Sequence, residues 1–187
     1  LGGALIHRPF MESFLTTVAN LMVEKNLPAL MIGGHAVTAL GYPRATFDLD
    51  LIIPRSSAGK WREELAKLRF HLFAESTNFQ QYEAAGELPL PPVDLMLIDD
   101  EVFQTLELTK CASSPLATPG VSAMIALKLH AIHQPSSENI EKDWADVFGL
   151  VKAHKLSLDD PEFSATVFKH GGENAIKRIR TSLIGGD

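Results

Sequence analysis

Two aspartates stand one residue apart inside an otherwise apolar run, Phe47-Asp48-Leu49-Asp50-Leu51-Ile52-Ile53. The run reads as a buried β-strand. Successive strand side chains point to opposite faces, so Asp48 and Asp50 share one face while Leu49, Leu51 and Ile53 pack the other way. Adjacent carboxylates repel and raise each other's pKa unless a cation neutralises them. A hard divalent cation with oxygen ligands answers that cost. Mg²⁺ commonly binds through one or two carboxylates plus substrate phosphates, which points to phosphoryl or nucleotidyl chemistry.

Asp94 is a third acid in a run that ought to be buried, Val93-Asp94-Leu95-Met96-Leu97-Ile98. An isolated charge there is costly unless it is paired or metal-bound. If its strand lies beside the Asp48/Asp50 strand, three carboxylates converge. Such a set can hold two metal ions that clamp the attacking and leaving oxygens of an in-line displacement. Upstream, Gly33-Gly34 turns a short apolar strand, Ala29 to Ile32, into a short helix ending near Gly41. Absent side chains let a phosphate approach, and amides at a helix start favour an anion.

The remaining pattern divides the chain. Apolar residues at helical spacing mark a helix over 11–25, ended by Asn26 and Pro28. Ser56 or Ser57 is placed to cap a helix carrying Trp61, Leu65 and Leu68. Phe70 to Ala74 is a further strand, and the Pro-rich stretch Leu88 to Pro92 leads into the Asp94 strand. Thr118-Pro119 resembles an N-cap with proline at the first helical position, opening a helix to about His133. A Pro-Ser-Ser-Glu loop then leads into a helix from about Glu138 to Ala153. Asp160-Pro161 starts another, Gly171-Gly172 stops it, and a last helix spans Glu173 to Leu183. The expectation is an α/β core over residues 1–112 and a C-terminal helical region over 113–187.

Composition limits the function classes. The net charge of −6 argues against coating nucleic acid nonspecifically. No apolar run approaches the ~20 residues of a membrane span. The single cysteine, Cys111, excludes an internal disulfide and fits a reducing cytoplasm.

Gly33-Gly34-His35-Ala36, then Arg44-Ala45-Thr46-Phe47-Asp48-Leu49-Asp50, then a strand with one Asp, resembles the nucleotidyltransferase superfamily with the polymerase-β-type fold. Within it, Ala126-Leu127-Lys128-Leu129 and Lys142-Asp143-Trp144-Ala145-Asp146 resemble the signatures of the AbiEii/AbiGii-type group, which includes toxins of bacterial toxin–antitoxin pairs. The resemblance covers about residues 29 to 150. It implies an α+β fold, a mixed sheet flanked by helices, with the helical region completing the nucleotide and acceptor cleft. It further implies NTP-dependent transfer of a nucleoside monophosphate to an acceptor hydroxyl with two Mg²⁺ (Mn²⁺ as substitute), and an antitoxin partner for a toxin.

Asp48, Asp50 and Asp94 would be catalytic metal ligands, and Gly33 and Gly34 would cradle the triphosphate. Many members have Ser where this chain has Gly34, followed by His35, so His35 is a candidate phosphate donor. Arg44 is placed to reach a phosphate or to pair with Asp94, and Thr46 to steady a carboxylate or simply to pack. Lys128 must snorkel, pair with Asp143 or Asp146, or meet a phosphate. Lys142 with Asp146 has the spacing of a surface pair. Lys128 and Asp146 join the expected nucleotide-binding set. Arg55 is a weaker candidate, and His130 with His133 reads as two structural histidines. The basic residues Lys169, His170, Lys177, Arg178 and Arg180 read as a solvated face, with RNA or triphosphate as the alternative.

The acceptor is left open among an RNA or tRNA end, a protein, and a small molecule of the aminoglycoside kind. Competing readings are a nucleotide-binding module without turnover and a Mg²⁺-dependent nuclease. The nuclease gives no reason for Gly33-Gly34.

Overall fold

The computed structural model describes residues 3–86, 90–134 and 140–184, with side chains from residue 10 onward. The Pro135–Glu138 loop, the helix start at Glu138 and the Leu88-Pro89 part of the Pro-rich segment lie outside them. The chain forms two compact units, one of residues 1–39 and 45–119, the other of residues 40–44 and 120–187.

The first unit is built on a five-stranded mixed sheet in the order β1-β2-β5-β4-β3. Its strands are β1 (Leu30–Met31), β2 (Leu49–Pro54), β3 (Phe70–Glu75), β4 (Phe79–Ala84) and β5 (Val93–Ile98). β2 and β5 run parallel, and the other neighbours are antiparallel. The unit's helices are α1 (Gly3–Lys25), α2 (Gly33–Ala39), α3 (Ala58–Lys67) and α4 (Asp100–Thr105). Leu49, Leu51, Ile53, Val93 and Leu95 have no exposed surface, and they occupy one face of the two central strands. Phe14 of α1 lies against Phe70 with ring centroids 5.7 Å apart. The Trp61 indole N–H of α3 reaches the Pro28 carbonyl at 3.4 Å.

Several local expectations are corrected. α1 begins at Gly3 rather than Met11, because apolar spacing marks only a buried face while Ala4 and Leu5 are good helix formers anyway. β4 and α4 were not anticipated. Thr118-Pro119 is not a helix cap: it forms β7 (Thr118–Pro119), paired with β6 (Leu108–Thr109). Thr118 is fully buried with its hydroxyl on the Pro119 carbonyl, and α5 (Val121–Ile132) starts after Gly120. Ser57 does stand at the N-cap of α3, but its hydroxyl donates to the Pro54 carbonyl, so it caps nothing.

The second unit packs α5 against α6 (Ile140–Ala153) and α7 (Pro161–Ile184), which breaks at Gly172 where φ is +64° and ψ −166°. Residues 40–44 belong here for a visible reason. A Cβ on Gly149 would sit 2.3 Å from the Tyr42 ring, so the absent side chain makes room for that ring on α6. His154 Nε2 donates to the Leu40 carbonyl at 2.6 Å.

Candidate active site

Register brings the acids together. Asp50 of β2 pairs directly with Asp94 of β5, and Asp48 stands one residue before β2. Carboxylate oxygens of Asp48, Asp50 and Asp94 all lie within 4.8 Å of one another, and each residue is half-buried. Among the described residues this is the one group of His, Cys, Asp or Glu side chains arranged to share a metal ion. The expected convergence is therefore present, within one unit.

The local chain explains the geometry. The apolar face of β2 anchors the strand in the core, so its alternate residues must look the other way. Thr46 Oγ1 donates to Asp48 Oδ1 at 2.8 Å, fixing that carboxylate. Gly33 has a φ of +63°, and a Cβ there would lie 1.8 Å from Asp50 Oδ2. The turn into α2 thus presses bare backbone against the acid pair. Gly34, buried, and His35, half-buried, follow in α2. Three clustered acids beside a backbone with no room for a side chain form a donor set suited to a hard cation.

Sequence reasoning missed Gln81. It faces Asp94 across β4 and β5, and its Nε2 donates to Asp94 Oδ2 at 3.3 Å. Burial pushes the Asp94 carboxyl above its ordinary pKa. The Gln81 hydrogen bond opposes that rise, and the charge of Asp48 adds to it.

Arg44 is paired with Asp146: its Nε lies 2.8 Å from Asp146 Oδ1, within the second unit. Asp146 is fully buried, and its other oxygen lies 2.8 Å from Lys128 Nζ. Lys128 also donates to Asp143 Oδ1 at 2.7 Å. Two cations and two carboxylates therefore neutralise one another, replacing the expected Lys142–Asp146 surface pair. Burial lowers the Lys128 pKa, but the hydrogen bonds and charges of Asp143 and Asp146 outweigh it and hold the ammonium above its ordinary value.

Other candidates are engaged elsewhere. Arg55 donates to the Thr77 carbonyl at 2.6 Å and lies 3.6 Å from Asp99. It lines an open hollow of about 580 Å³ with Ser56, Asp99, Asp100 and Glu101, which none of the three clustered acids lines. His133 Nδ1 meets the Leu129 carbonyl at 2.7 Å, and His130 meets Gln134 at 2.9 Å. Arg178 lies over the Trp144 ring, 4.3 Å from its centroid.

No protein-family model matches this sequence, and no curated protein sequence does. Solved structures do. The chain is similar to ANT(2″)-Ia, determined in complex with adenylyl-2″-tobramycin, at 18% identity and a TM-score of 0.62, covering 84% of this chain and 97% of that one. JHP933 from Helicobacter pylori gives 15% and 0.59, with 98% and 80% covered. The lincosamide antibiotic adenylyltransferase LnuA, lincomycin-bound, gives 12% and 0.56, with 74% and 95% covered. The fold is that of the nucleotidyltransferases, a mixed α+β architecture.

Proposed function

We propose that this chain transfers a nucleoside monophosphate from an NTP to an acceptor hydroxyl, releasing pyrophosphate. The observation that carries the reading is the convergence of Asp48, Asp50 and Asp94 beside Gly33. Folds host many activities, so the reading rests on this site together with the nucleotidyltransferase-type fold. Asp48 and Asp50 would hold both Mg²⁺ ions, and Asp94 would complete one of the two sites. When bound, the ions neutralise phosphate charge and make the attacking oxygen a better nucleophile.

The chain's own residues supply the rest. Thr46 holds the Asp48 carboxylate in place. The bare backbone of Gly33 and Gly34 receives the triphosphate, and His35 adds a donor to it. Asp94, the third carboxylate of the cluster, accepts the proton of the attacking hydroxyl. Arg44, Lys128 and Asp146, tied together within the second unit, are assigned to the nucleotide on the family resemblance alone.

The test is incubation with α-labelled NTPs, Mg²⁺ and a bacterial lysate. Label transfer that disappears in Asp48→Ala supports the reading. Nucleotide binding without transfer to any acceptor favours a binding module, which the retention of all three acids argues against. Strand cleavage without pyrophosphate would favour a nuclease. The AbiEii/AbiGii resemblance makes the chain a candidate toxin with an antitoxin partner. Induced expression should then arrest bacterial growth with the native chain and not with Asp48→Ala.

A further inference from the structure

We propose that Tyr42 and Gly149 are positioning residues for Asp48. The Tyr42 ring, seated on Gly149 of α6, straps the connector between α2 and β2 and so sets the chain that leads into this carboxylate. The inference rests on the transfer reading above and adds residues to that same site.

Three observations carry it. The first is where Asp48 stands. Asp50 and Asp94 face each other inside the ladder of β2 and β5, whose register begins at Leu49 and Val93. Asp48 precedes that ladder, so the course of the chain before it bears directly on its place. Thr46, two residues earlier, donates to its carboxylate at 2.8 Å.

The second is the seat of the connector. A Cβ on Gly149 would lie 2.3 Å from Cγ and Cδ2 of Tyr42 and 2.4 Å from Cδ1, so the ring rests directly on the helix backbone. Arg44 meets Asp146 at 2.8 Å, and His154 donates to the Leu40 carbonyl at 2.6 Å. A Cβ on Gly41 would lie 3.9 Å from the Ala153 Cβ, an ordinary contact. Asp146, Gly149 and Ala153 follow at i, i+3 and i+7, the spacing of one helix face. Glycine inside a helix is less stable than alanine, and Gly149 stands well inside α6. The Tyr42 ring gives that glycine its reason.

The third is continuity. From Gly41 to Asp48 exposure alternates residue by residue: Gly41, Pro43, Ala45 and Phe47 are exposed, whereas Tyr42, Arg44, Thr46 and Asp48 are half-buried. A period of two is that of extended chain. Extended chain has little slack, so a connector released at Tyr42 passes its freedom on to Asp48 within six residues. Asp50 and Asp94, held in the ladder, do not share it.

The experiment compares the full native chain with Tyr42→Ala, Gly149→Ala, Tyr42→Phe and Val167→Ala. Val167 is fully buried on α7, which packs on α5, so its truncation loosens the second unit without touching the strap. Amide hydrogen exchange of residues 45–49 is read without metal, and Mn²⁺ affinity without nucleotide is read by electron paramagnetic resonance, with Asp48→Ala marking the share due to the acids. Tyr42→Ala and Gly149→Ala should each speed that exchange by roughly tenfold and weaken Mn²⁺ by roughly three- to tenfold. Tyr42→Phe, which keeps the ring, should match the native chain, and Val167→Ala should melt earlier while leaving both readings unchanged. The proposal is overturned if Tyr42→Ala and Gly149→Ala exchange as the native chain does, if Val167→Ala loosens residues 45–49 as much, or if Tyr42→Phe behaves as Tyr42→Ala. Failure of the transfer reading shows separately, as native Mn²⁺ binding that Asp48→Ala leaves intact, while the exchange rates still decide the strap.

Discussion

Replacing Gly33 with alanine is the sharpest perturbation of the site. The new Cβ would fall 1.8 Å from Asp50 Oδ2, 2.5 Å from its Cγ and 2.9 Å from its Cβ. Rotating the Asp50 side chain removes the first two clashes. The third persists, well inside the ~3.5–4.0 Å of a relaxed carbon contact, so backbone must move as well. Holding alanine at a φ of +63° costs roughly 1–2 kcal/mol, and overpacking adds about 1–3 kcal/mol. A loss of about 2–5 kcal/mol lowers the melting temperature of a chain this long by roughly 4–20 °C. The assay is thermal unfolding in EDTA, repeated with Mg²⁺ at tenfold its Kd. Native protein should gain about 1.4 kcal/mol from the metal, and Gly33→Ala less than about a third of that, because Asp50 has been displaced. Gly59→Ala is the control, since a Cβ there meets nothing within 4 Å; it should melt no lower than native. A Gly33→Ala protein that melts with the native one and responds fully to Mg²⁺ would refute the reasoning.

Asp94→Asn should stabilise the metal-free protein at pH 7 by about 1 kcal/mol, the scale of like charges within 4.8 Å at high effective dielectric. The same variant should lose the Mg²⁺-dependent shift, and both effects are read by the same melting assay. Asp146→Asn removes the buried charge that both Arg44 and Lys128 meet, while Lys128 keeps Asp143, and should cost about 3–5 kcal/mol, measured by urea unfolding. Lys128→Met tests pH dependence. A lysine whose folded pKa is raised contributes stability that is fully present below its ordinary 10.5 and lost as pH rises through the raised value. The stability gap between native and Lys128→Met should therefore stay constant up to about pH 10 and narrow above it. If the variant also leaves nucleotide affinity unchanged, Lys128 has a structural role alone.

Some of this was legible in the chain because local pattern and global fold agree. Asp48 and Asp50 declare themselves by interrupting a strand whose other residues are apolar, and Asp94 does the same in β5. Gly33 is legible as a turn, but only the structure shows that Asp50 fills the space its side chain would need. β4 was hidden because its inward face is not apolar. Gln80 is buried there, accepting the Tyr82 hydroxyl and donating to Glu75, so Phe79 to Ala84 lacks the alternation that marks a strand. Gln81 was lost with it. α4 did carry a signal, Asp100 and Glu101 in its first turn, that helix-start chemistry could have found. The Arg44–Asp146 pair joins residues far apart in sequence, and no spacing rule reaches that distance. Thr118-Pro119 misled because tertiary strand pairing overrode a local capping pattern.

The most direct measurement is anomalous diffraction from crystals soaked in Mn²⁺ with a non-hydrolysable NTP analogue. The account predicts manganese with carboxylate oxygens of Asp48, Asp50 and Asp94 about 2.1 Å away, and analogue phosphates against Gly33 and Gly34. Manganese bound elsewhere, or held without Asp94, would contradict it.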